Sequence, residues 1–69
     1  MNDRERIGNK IKEIRIQKGI STYQLAELTG LNQPNIVRIE KGKYSTGIDI
    51  ISKIVNSLGC QIDIIDRKE

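Results

Sequence analysis

Four apolar patterns with helical spacing divide this chain of 69 residues into short segments. In the first segment, Ile7, Ile11 and Ile14 recur at steps of four and three, which places them on one face of a helix. A glycine able to adopt the left-handed conformation that ends helices follows each segment, namely Gly19, Gly30, Gly42 and Gly59. The chain is too short for a second domain, so the helices must share one core.

Polar residues placed to cap helices precede the apolar patterns. Capping boxes are predicted at three places, formed by Asn2 with Glu5, Ser21 with Gln24 and Thr46 with Asp49. Asn32 provides a further cap, and Pro34 fits the first turn of a helix, where no amide hydrogen is required. The predicted helices therefore cover about residues 3–18, 22–29, 33–41 and 47–58.

The segment after the fourth helix alternates apolar and polar residues and is rich in β-branched side chains. This pattern predicts one short β-strand over about residues 60–66. A single strand leaves its backbone groups unpaired within the chain, which predicts a homodimer whose strands pair about a twofold axis. Cys60, Ile62 and Ile64 would then face the helices of the dimer. The alternative is a flexible tail, or one that packs on its own fourth helix.

The composition argues against catalysis and metal binding. The chain has no histidine and one cysteine, which removes the usual general base near neutral pH and leaves too few ligands for a zinc site. Tyr23, Tyr44 and Cys60 form no recognisable arrangement of nucleophile and base. No apolar run is long enough to cross a membrane, and no signal peptide is evident. We therefore expect a cytoplasmic protein that is not an enzyme and has no cofactor.

Positive charge is concentrated in the N-terminal part of the chain, up to Tyr44. Nine basic and five acidic residues lie up to Tyr44, giving +4, whereas three basic and four acidic residues follow, giving −1. A positive field on one part of a small domain is compatible with an anionic partner such as DNA.

Two short helices joined by a glycine-containing turn, with a polar face on the second helix, indicate a helix-turn-helix. Residues 24–43 read QLAELTGLNQPNIVRIEKGK. This stretch resembles the lambdoid-phage repressor and Cro family, also called the XRE family, and the similarity extends over about residues 7–58. Its specific features are Leu-Ala, a glycine four places after that alanine, an aliphatic residue six places later, and Ile-Glu-x-Gly. The resemblance implies a mainly α, four-helix, lambda-repressor-like domain.

The resemblance also implies how double-stranded DNA would be bound. The third helix would enter the major groove and present Gln33, Pro34 and Arg38 to base edges, with Asn32 and Asn35 as flanking candidates. Pro34 departs from the polar residues common in phage repressors and offers only apolar contact. Two groups of residues would hold phosphates: Ser21, Thr22 and Tyr23 at the start of the second helix, and Lys41, Lys43, Tyr44 and Ser45 after the third.

Arg15 and Glu40 match positions that form an inward-facing ion pair in several members of the family. The resemblance therefore implies such a pair here. The alternative is that both residues are solvated surface charges, which would make their interaction worth under about 1 kcal/mol.

Three functions follow from these features. The first is a dimeric, sequence-specific transcriptional repressor that occludes a promoter by binding a palindromic operator. A compact helix-turn-helix with a terminal strand also resembles antitoxins of the HipB type, which bind their own operator and hold a toxin kinase inactive, so a toxin is a candidate partner. The third is a protein-interaction module that has lost DNA binding, which the modest net charge of +3 leaves open.

Overall fold

A computed structural model describes residues 2–68 of the chain. Within this range the protein has no strand and four helices, which are α1 (Asp3–Gln17), α2 (Thr22–Thr29), α3 (Gln33–Glu40) and α4 (Ile48–Ser57). Helix α3 packs against α1 and α2, and α2 also packs against α4. None of these four helices is long and apolar enough to cross a membrane. The architecture of the described residues is therefore all-α.

Local hydrogen bonds fix where α1 and α2 begin. The Asn2 side chain accepts a hydrogen bond from the Glu5 amide at 2.9 Å, and the Asn2 amide donates to the Glu5 carboxylate at 3.4 Å. Ser21 and Gln24 form the same reciprocal pair, at 3.0 and 2.8 Å. Each pair satisfies amides that have no helical acceptor, so both predicted capping boxes are confirmed.

The capping box predicted for α4 is wrong. Gly47, not Thr46, is the N-cap residue, and it makes no side-chain cap hydrogen bond. The Ile51 amide donates to the Gly47 carbonyl at 3.2 Å, which is the first backbone bond of this helix. Because glycine offers no side-chain acceptor, the amides of the first turn of α4 have no side-chain cap.

Every helix contributes apolar side chains to one core. Leu25 of α2, Ile36 of α3 and Ile54 of α4 are almost completely buried. The core cluster is completed by Ile11, Ala26, Ile39 and Leu58. Full burial of one such side chain stabilises the folded state by roughly 1.5–3 kcal/mol. The cluster therefore holds α2 and α3 in a fixed mutual orientation, on which the candidate site depends.

Helix α1 crosses the end of α3 at very short range. A Cβ atom added to Gly8 would lie 2.8 Å from the carbonyl oxygen of Glu40 and closer still to that of Ile39. Only a residue without a side chain permits this approach of two backbones. The contact brings the middle of α1 against the last turn of α3.

Arg15 of α1 and Glu40 of α3 form a buried ion pair. Arg15 Nε lies 2.6 Å from Glu40 Oε2, and Nη2 lies 3.0 Å from Oε1. The third donor, Nη1, reaches the carbonyl oxygen of Ile20 at 2.8 Å. Hydrogen bonding to Glu40 raises the pKa of Arg15 above its ordinary value, against the effect of burial. The pair thus ties α1 to α3 and to the turn before α2.

The C-terminal β-strand predicted over residues 60–66 is wrong. These residues have no regular structure, and no other part of residues 2–68 is a strand to which they could pair. The Ile64 amide donates to the side chain of Asp63 at 2.8 Å, and Ile64 and Ile65 are 93% and 84% exposed. The alternation of apolar and polar residues favours a strand, but a strand also needs a second strand to pair with its backbone N–H and C=O groups. We call residues 60–68 the tail.

Candidate nucleic-acid interface

Helices α2 and α3 form a helix-turn-helix across three connecting residues. Gly30 makes the turn in the left-handed conformation, with φ +72°. Asn32 caps α3 and accepts a hydrogen bond from the Asn35 amide at 3.1 Å. Because Ile36 and Ile39 point into the core, Pro34 and Arg38 lie exposed on the other side of α3. The motif therefore presents the first turn of α3 and Arg38 to solvent.

Gln33 is joined to α2 by a hydrogen bond between side chains. Its Nε2 donates to Oγ1 of Thr22 at 3.0 Å, and both side chains are half-buried. Thr22 is the first residue of α2, and Gln33 is the first residue of α3. The sequence predicts separate roles for them, a phosphate contact for Thr22 and a base contact for Gln33, and gives no sign of their link. No local signal reveals it, because it arises from the packing of one helix on the other.

Two more of the predicted base-contacting residues are joined within α3. Arg38 Nη1 donates to Oδ1 of Asn35 at 3.3 Å, along an exposed face of the helix. Asn32 is exposed, but its side-chain oxygen is occupied by the cap of α3. Pro34 is exposed beside it. The structure thus brings all five predicted base-contacting residues to the N-terminal part and outer face of α3.

The predicted phosphate site at the start of α2 has two free backbone donors. The first backbone bond within α2 is made by Leu25, which donates to the carbonyl oxygen of Ser21, and the Gln24 amide is used by the capping box. The amides of Thr22 and Tyr23 precede these bonds and can donate outward. Ser21 and Tyr23 are exposed, and Thr22 is half-buried. This helix end suits an anion, because the free amides and the helix dipole act together.

The second predicted phosphate site is the loop between α3 and α4. Lys41, Lys43, Tyr44 and Ser45 are all exposed there. The Lys43 amide donates to the carbonyl oxygen of Arg38 at 2.9 Å, which anchors the start of the loop to α3. Among residues 2–68, neither lysine takes part in an ion pair. Both ammonium groups are therefore available to an external anion.

The exposed charge of α3 and this loop is wholly positive. Residues 31–47 contain three basic side chains, Arg38, Lys41 and Lys43, and one acidic side chain, Glu40. Glu40 is 5% exposed and is paired with Arg15. Burial of Glu40 therefore removes the one negative charge that residues 31–47 would themselves add to this surface, although the exposed Glu5 of α1 lies beside Gly42.

An apolar groove lies between α1, α4 and the tail. It has a volume of about 510 Å³ and is lined by Ile7, Ile14, Ile51, Val55, Cys60 and Ile62, among others. Charged side chains from α1 and the tail border it, namely Arg6, Lys10 and Asp63. Of the three residues predicted for dimerisation, Cys60 and Ile62 line the groove, whereas Ile64 lies outside it and is almost fully exposed.

The sequence matches the model of the helix-turn-helix family HTH_3 over residues 11–65. An uncharacterised HTH-type transcriptional regulator from Haemophilus influenzae is 41% identical over 58 residues, which cover 80% of this chain and 59% of the relative. The immunity repressor protein of Bacillus phage phi105 is 29% identical over 63 residues, covering 91% of this chain and 44% of the relative. The chain therefore spans less than two thirds of the length of these two relatives.

The fold is also found in a solved structure described as a HipA-HipB-O2-O3 complex. One chain of that complex superposes on this protein with a TM-score of 0.85 at 26% sequence identity. The superposition covers 99% of this chain and 96% of the other. The similarity therefore includes the tail region as well as the helices.

Proposed function

Because the chain belongs to the helix-turn-helix family HTH_3, we propose that it is a sequence-specific DNA-binding transcriptional repressor that acts as a homodimer. The observation that carries the proposal is the charge of α3 and its following loop. Arg38, Lys41 and Lys43 are exposed, and the only carboxylate of that segment is buried. Such a surface attracts the phosphate backbone of DNA. The protein would act in the cytoplasm by occupying an operator, without chemistry or a cofactor.

Base recognition is assigned to the outer face of α3. Gln33 would read adenine through its amide, and Arg38 would donate to guanine O6 and N7. Pro34 would contact a thymine methyl group, since it has no polar atom on its side chain. Asn32 and Asn35 flank these residues, and their side-chain oxygens are occupied within the protein. Gln33 and Arg38 therefore carry most of the proposed specificity.

Two phosphate-binding regions would position α3 in the groove. One is formed by Ser21, Thr22 and Tyr23 at the start of α2, and the other by Lys41, Lys43, Tyr44 and Ser45 after α3. Contacts of this kind fix the register of a protein on the duplex but carry no sequence information directly. Their contribution falls steeply as salt rises, because DNA releases bound counterions when the lysines neutralise its phosphates.

The apolar groove and the tail are assigned to contact with a second copy of the chain. Ile48, Ile64 and Ile65 are 66%, 93% and 84% exposed, next to a groove that is itself apolar. The groove is bordered by Arg6 and Lys10 of α1 and by Asp63 of the tail, so its rim carries both signs of charge and can complement itself about a twofold axis. Cys60, Ile62 and Ile64 would contribute to this interface. A twofold dimer would read a palindrome with half-sites about 34 Å apart.

The proposal is tested by selecting bound sequences from random duplex DNA and measuring the affinity of the selected duplex at about 50 and 200 mM salt. We expect a palindromic sequence whose binding persists at the higher salt. Gln33→Ala and Arg38→Ala should each weaken binding by roughly 1–3 kcal/mol and relax preference at one base pair. Lys12→Ala, an exposed cation on α1, is the matched control. Binding without sequence preference would contradict the proposal and favour a protein-interaction module.

The dimer is tested separately by sedimentation over a range of protein concentrations. Ile64→Ser together with Ile65→Ser should shift the protein towards monomer, since both side chains belong to the proposed contact. Leu28→Ser is the control, because Leu28 is an exposed apolar residue of α2 outside the groove. A wild-type protein that stays monomeric would contradict the dimer but leave DNA binding open.

A second candidate function is that of an antitoxin, which binds its operator and also a toxin. The observation in its favour is the superposition over 99% of this chain on a component of a HipA-HipB-O2-O3 complex. The test is co-expression of this chain with the product of the adjacent reading frame, followed by co-purification. A complex that survives purification and still binds the operator would favour this candidate over a free-standing repressor.

A further inference from the structure

We propose that Arg4 of α1 contacts a DNA phosphate and so extends the DNA-binding surface beyond the helix-turn-helix and the loop that follows it. This role rests on the proposed function, because it requires DNA against the outer face of α3. It adds a contact from α1, a helix that takes no part in the two phosphate-binding regions proposed above. A phosphate contact strengthens binding and positions the protein, but it does not read bases.

Arg4 lies on the face of α1 that is buried along the rest of the helix. The buried residues of α1 are Gly8, Ile11 and Arg15. Arg4 precedes them by four, seven and eleven positions, which is the spacing of one helical face. Arg4 is nevertheless exposed. The inward face of α1 is therefore uncovered at the first turn, and it carries a cation there.

This face is uncovered because α3 ends before it reaches the level of Arg4. A Cβ atom on Gly8 would lie 2.8 Å from the carbonyl oxygen of Glu40, so Gly8 is level with the last turn of α3. About one turn earlier in α1, Glu5 meets Gly42, where an added Cβ would lie 2.7 Å from Glu5 Cα. The first turn of α1 thus lies beside the loop between α3 and α4, and its inward face extends past the end of α3.

The inward face of α1 is directed towards the side on which the DNA is proposed to bind. Ile36 and Ile39 turn one side of α3 to the core, where α1 packs, and Arg38 lies exposed on the opposite side. Seen from α1, the DNA of the proposed complex lies beyond α3. A long side chain that clears the end of α3 can therefore reach the phosphate backbone. Arginine suits this contact, because its planar guanidinium donates two parallel hydrogen bonds to one phosphate.

Arg4 forms no ion pair within residues 2–68. By contrast, Arg6 of the same helix pairs with Asp3 at 3.1 Å. Lys10 pairs with Glu13 at 3.8 Å. The position of Arg4 is also unfavourable for the helix, because the positive N-terminal end of the helix dipole repels a cation. The charge of Arg4 thus serves neither an ion pair nor the stability of α1, and it is available to an external anion.

Glu5 is the acidic residue closest to this surface, and it is exposed. The loop offers Lys41 and Lys43 against this one carboxylate, which is a surplus of one positive charge. The ion pair within the first turn of α1 is neutral as a whole. Arg4 raises the surplus to two positive charges, so its contribution to phosphate attraction is large for a single residue.

The contact is tested with Arg4→Ala on the selected operator. Lys12→Ala is the matched control, because Lys12 is also an exposed cation of α1 that forms no ion pair within residues 2–68. Lys12 lies between Gly8 and Arg15, where α3 lies between α1 and the proposed DNA. Both variants lose one positive charge and differ in where that charge was. Thermal unfolding checks that both remain folded.

We expect Arg4→Ala to weaken operator binding severalfold at about 100 mM salt and to lower the slope of log affinity against log salt. The ratio of affinities for the selected duplex and a scrambled duplex should not change, because a phosphate contact does not read bases. Arg4→Lys should keep most of the slope, since it keeps the charge. Lys12→Ala should leave the slope unchanged.

Ethylation of single phosphates locates the contact on the operator. An ethyl group interferes with binding where the wild-type protein touches that phosphate. Arg4→Ala should lose the interference at a phosphate next to the one that Lys43→Ala loses, because the first turn of α1 lies against the loop. Lys12→Ala should keep the complete interference pattern of the wild type.

Two results would overturn the inference while leaving the proposed function intact. If Arg4→Ala keeps the wild-type slope and interference pattern, Arg4 does not contact DNA. If Arg4→Ala and Lys12→Ala lower the slope equally and neither changes the pattern, the protein responds to net charge alone. If the wild-type protein binds no DNA, the proposed function itself fails, and the role of Arg4 fails with it.

Discussion

Glu5 of α1 lies directly against Gly42, the glycine that ends α3. A Cβ atom on Gly42 would come within 2.7 Å of Glu5 Cα and of Glu5 Cγ. Gly42 also has φ +71°, a conformation that favours glycine. The first turn of α1 therefore supports the loop that carries Lys41 and Lys43, although the two segments are far apart in sequence.

Gly42→Ala should destabilise the protein more than Gly19→Ala does. Both glycines have positive φ, +71° and +69°, so both alanine variants bear a backbone cost of roughly 1–2 kcal/mol. Gly19 has no atom within 4 Å of the added Cβ, whereas Gly42 meets the backbone of Glu5. The additional crowding should cost about 1–3 kcal/mol. Urea unfolding of the two variants gives the difference, and equal losses would contradict the contact.

Glu40→Gln should destabilise the protein by about 3–5 kcal/mol, because it leaves the buried Arg15 guanidinium without a countercharge. The guanidinium cannot escape by losing its proton, because arginine stays protonated in proteins. The matched control is Glu13→Gln, which breaks the exposed pair between Glu13 and Lys10, and should cost under about 1 kcal/mol. Chemical denaturation measures both. A loss for Glu40→Gln no larger than the control would show that the pair is not energetically important.

Gly8→Ala should be strongly destabilising, with a loss of at least about 1–3 kcal/mol. The added methyl group would collide with the carbonyl oxygens of Ile39 and Glu40, which are backbone atoms and cannot move as a flexible side chain would. Gly47→Ser is the control, since nothing lies within 4 Å of a Cβ there and serine can supply the missing cap of α4. That variant should be neutral or gain a few tenths of a kcal/mol. Thermal unfolding distinguishes the two outcomes.

The helices were predictable from the sequence because their signals are local. A cap such as Ser21 with Gln24 involves residues three apart, and the apolar faces repeat every three or four residues. The contact of Gly8 with α3 and the bond between Thr22 and Gln33 depend on how helices cross, which no short pattern encodes. Residue spacing alone therefore places Gln33 on a surface, but does not reveal what holds it there.

In the tail, a local pattern predicted a structure that does not form. Ile62, Ile64 and Ile65 have strong β propensity, and the alternation of residues 60–66 favours a strand. Propensity is a weak preference, and an isolated strand gains none of the ladder hydrogen bonds that stabilise a sheet. With no second strand among residues 2–68, the tail stays irregular. The alternation of residues 60–66 favours a β-strand, but a β-strand is stable only when a second strand pairs with it, and alternation does not show whether a second strand exists.

Lys43→Ala should reduce the salt dependence of operator binding by about one unit in the slope of log affinity against log salt. Lys43 is exposed, makes no ion pair within residues 2–68, and lies in a loop anchored to α3 by its own amide. Lys12→Ala removes the same charge from the exposed side of α1 and should leave the slope unchanged. The affinities are measured at four or more salt concentrations. Equal slopes for the two variants would mean that the protein responds to net charge alone and that the loop does not contact phosphate.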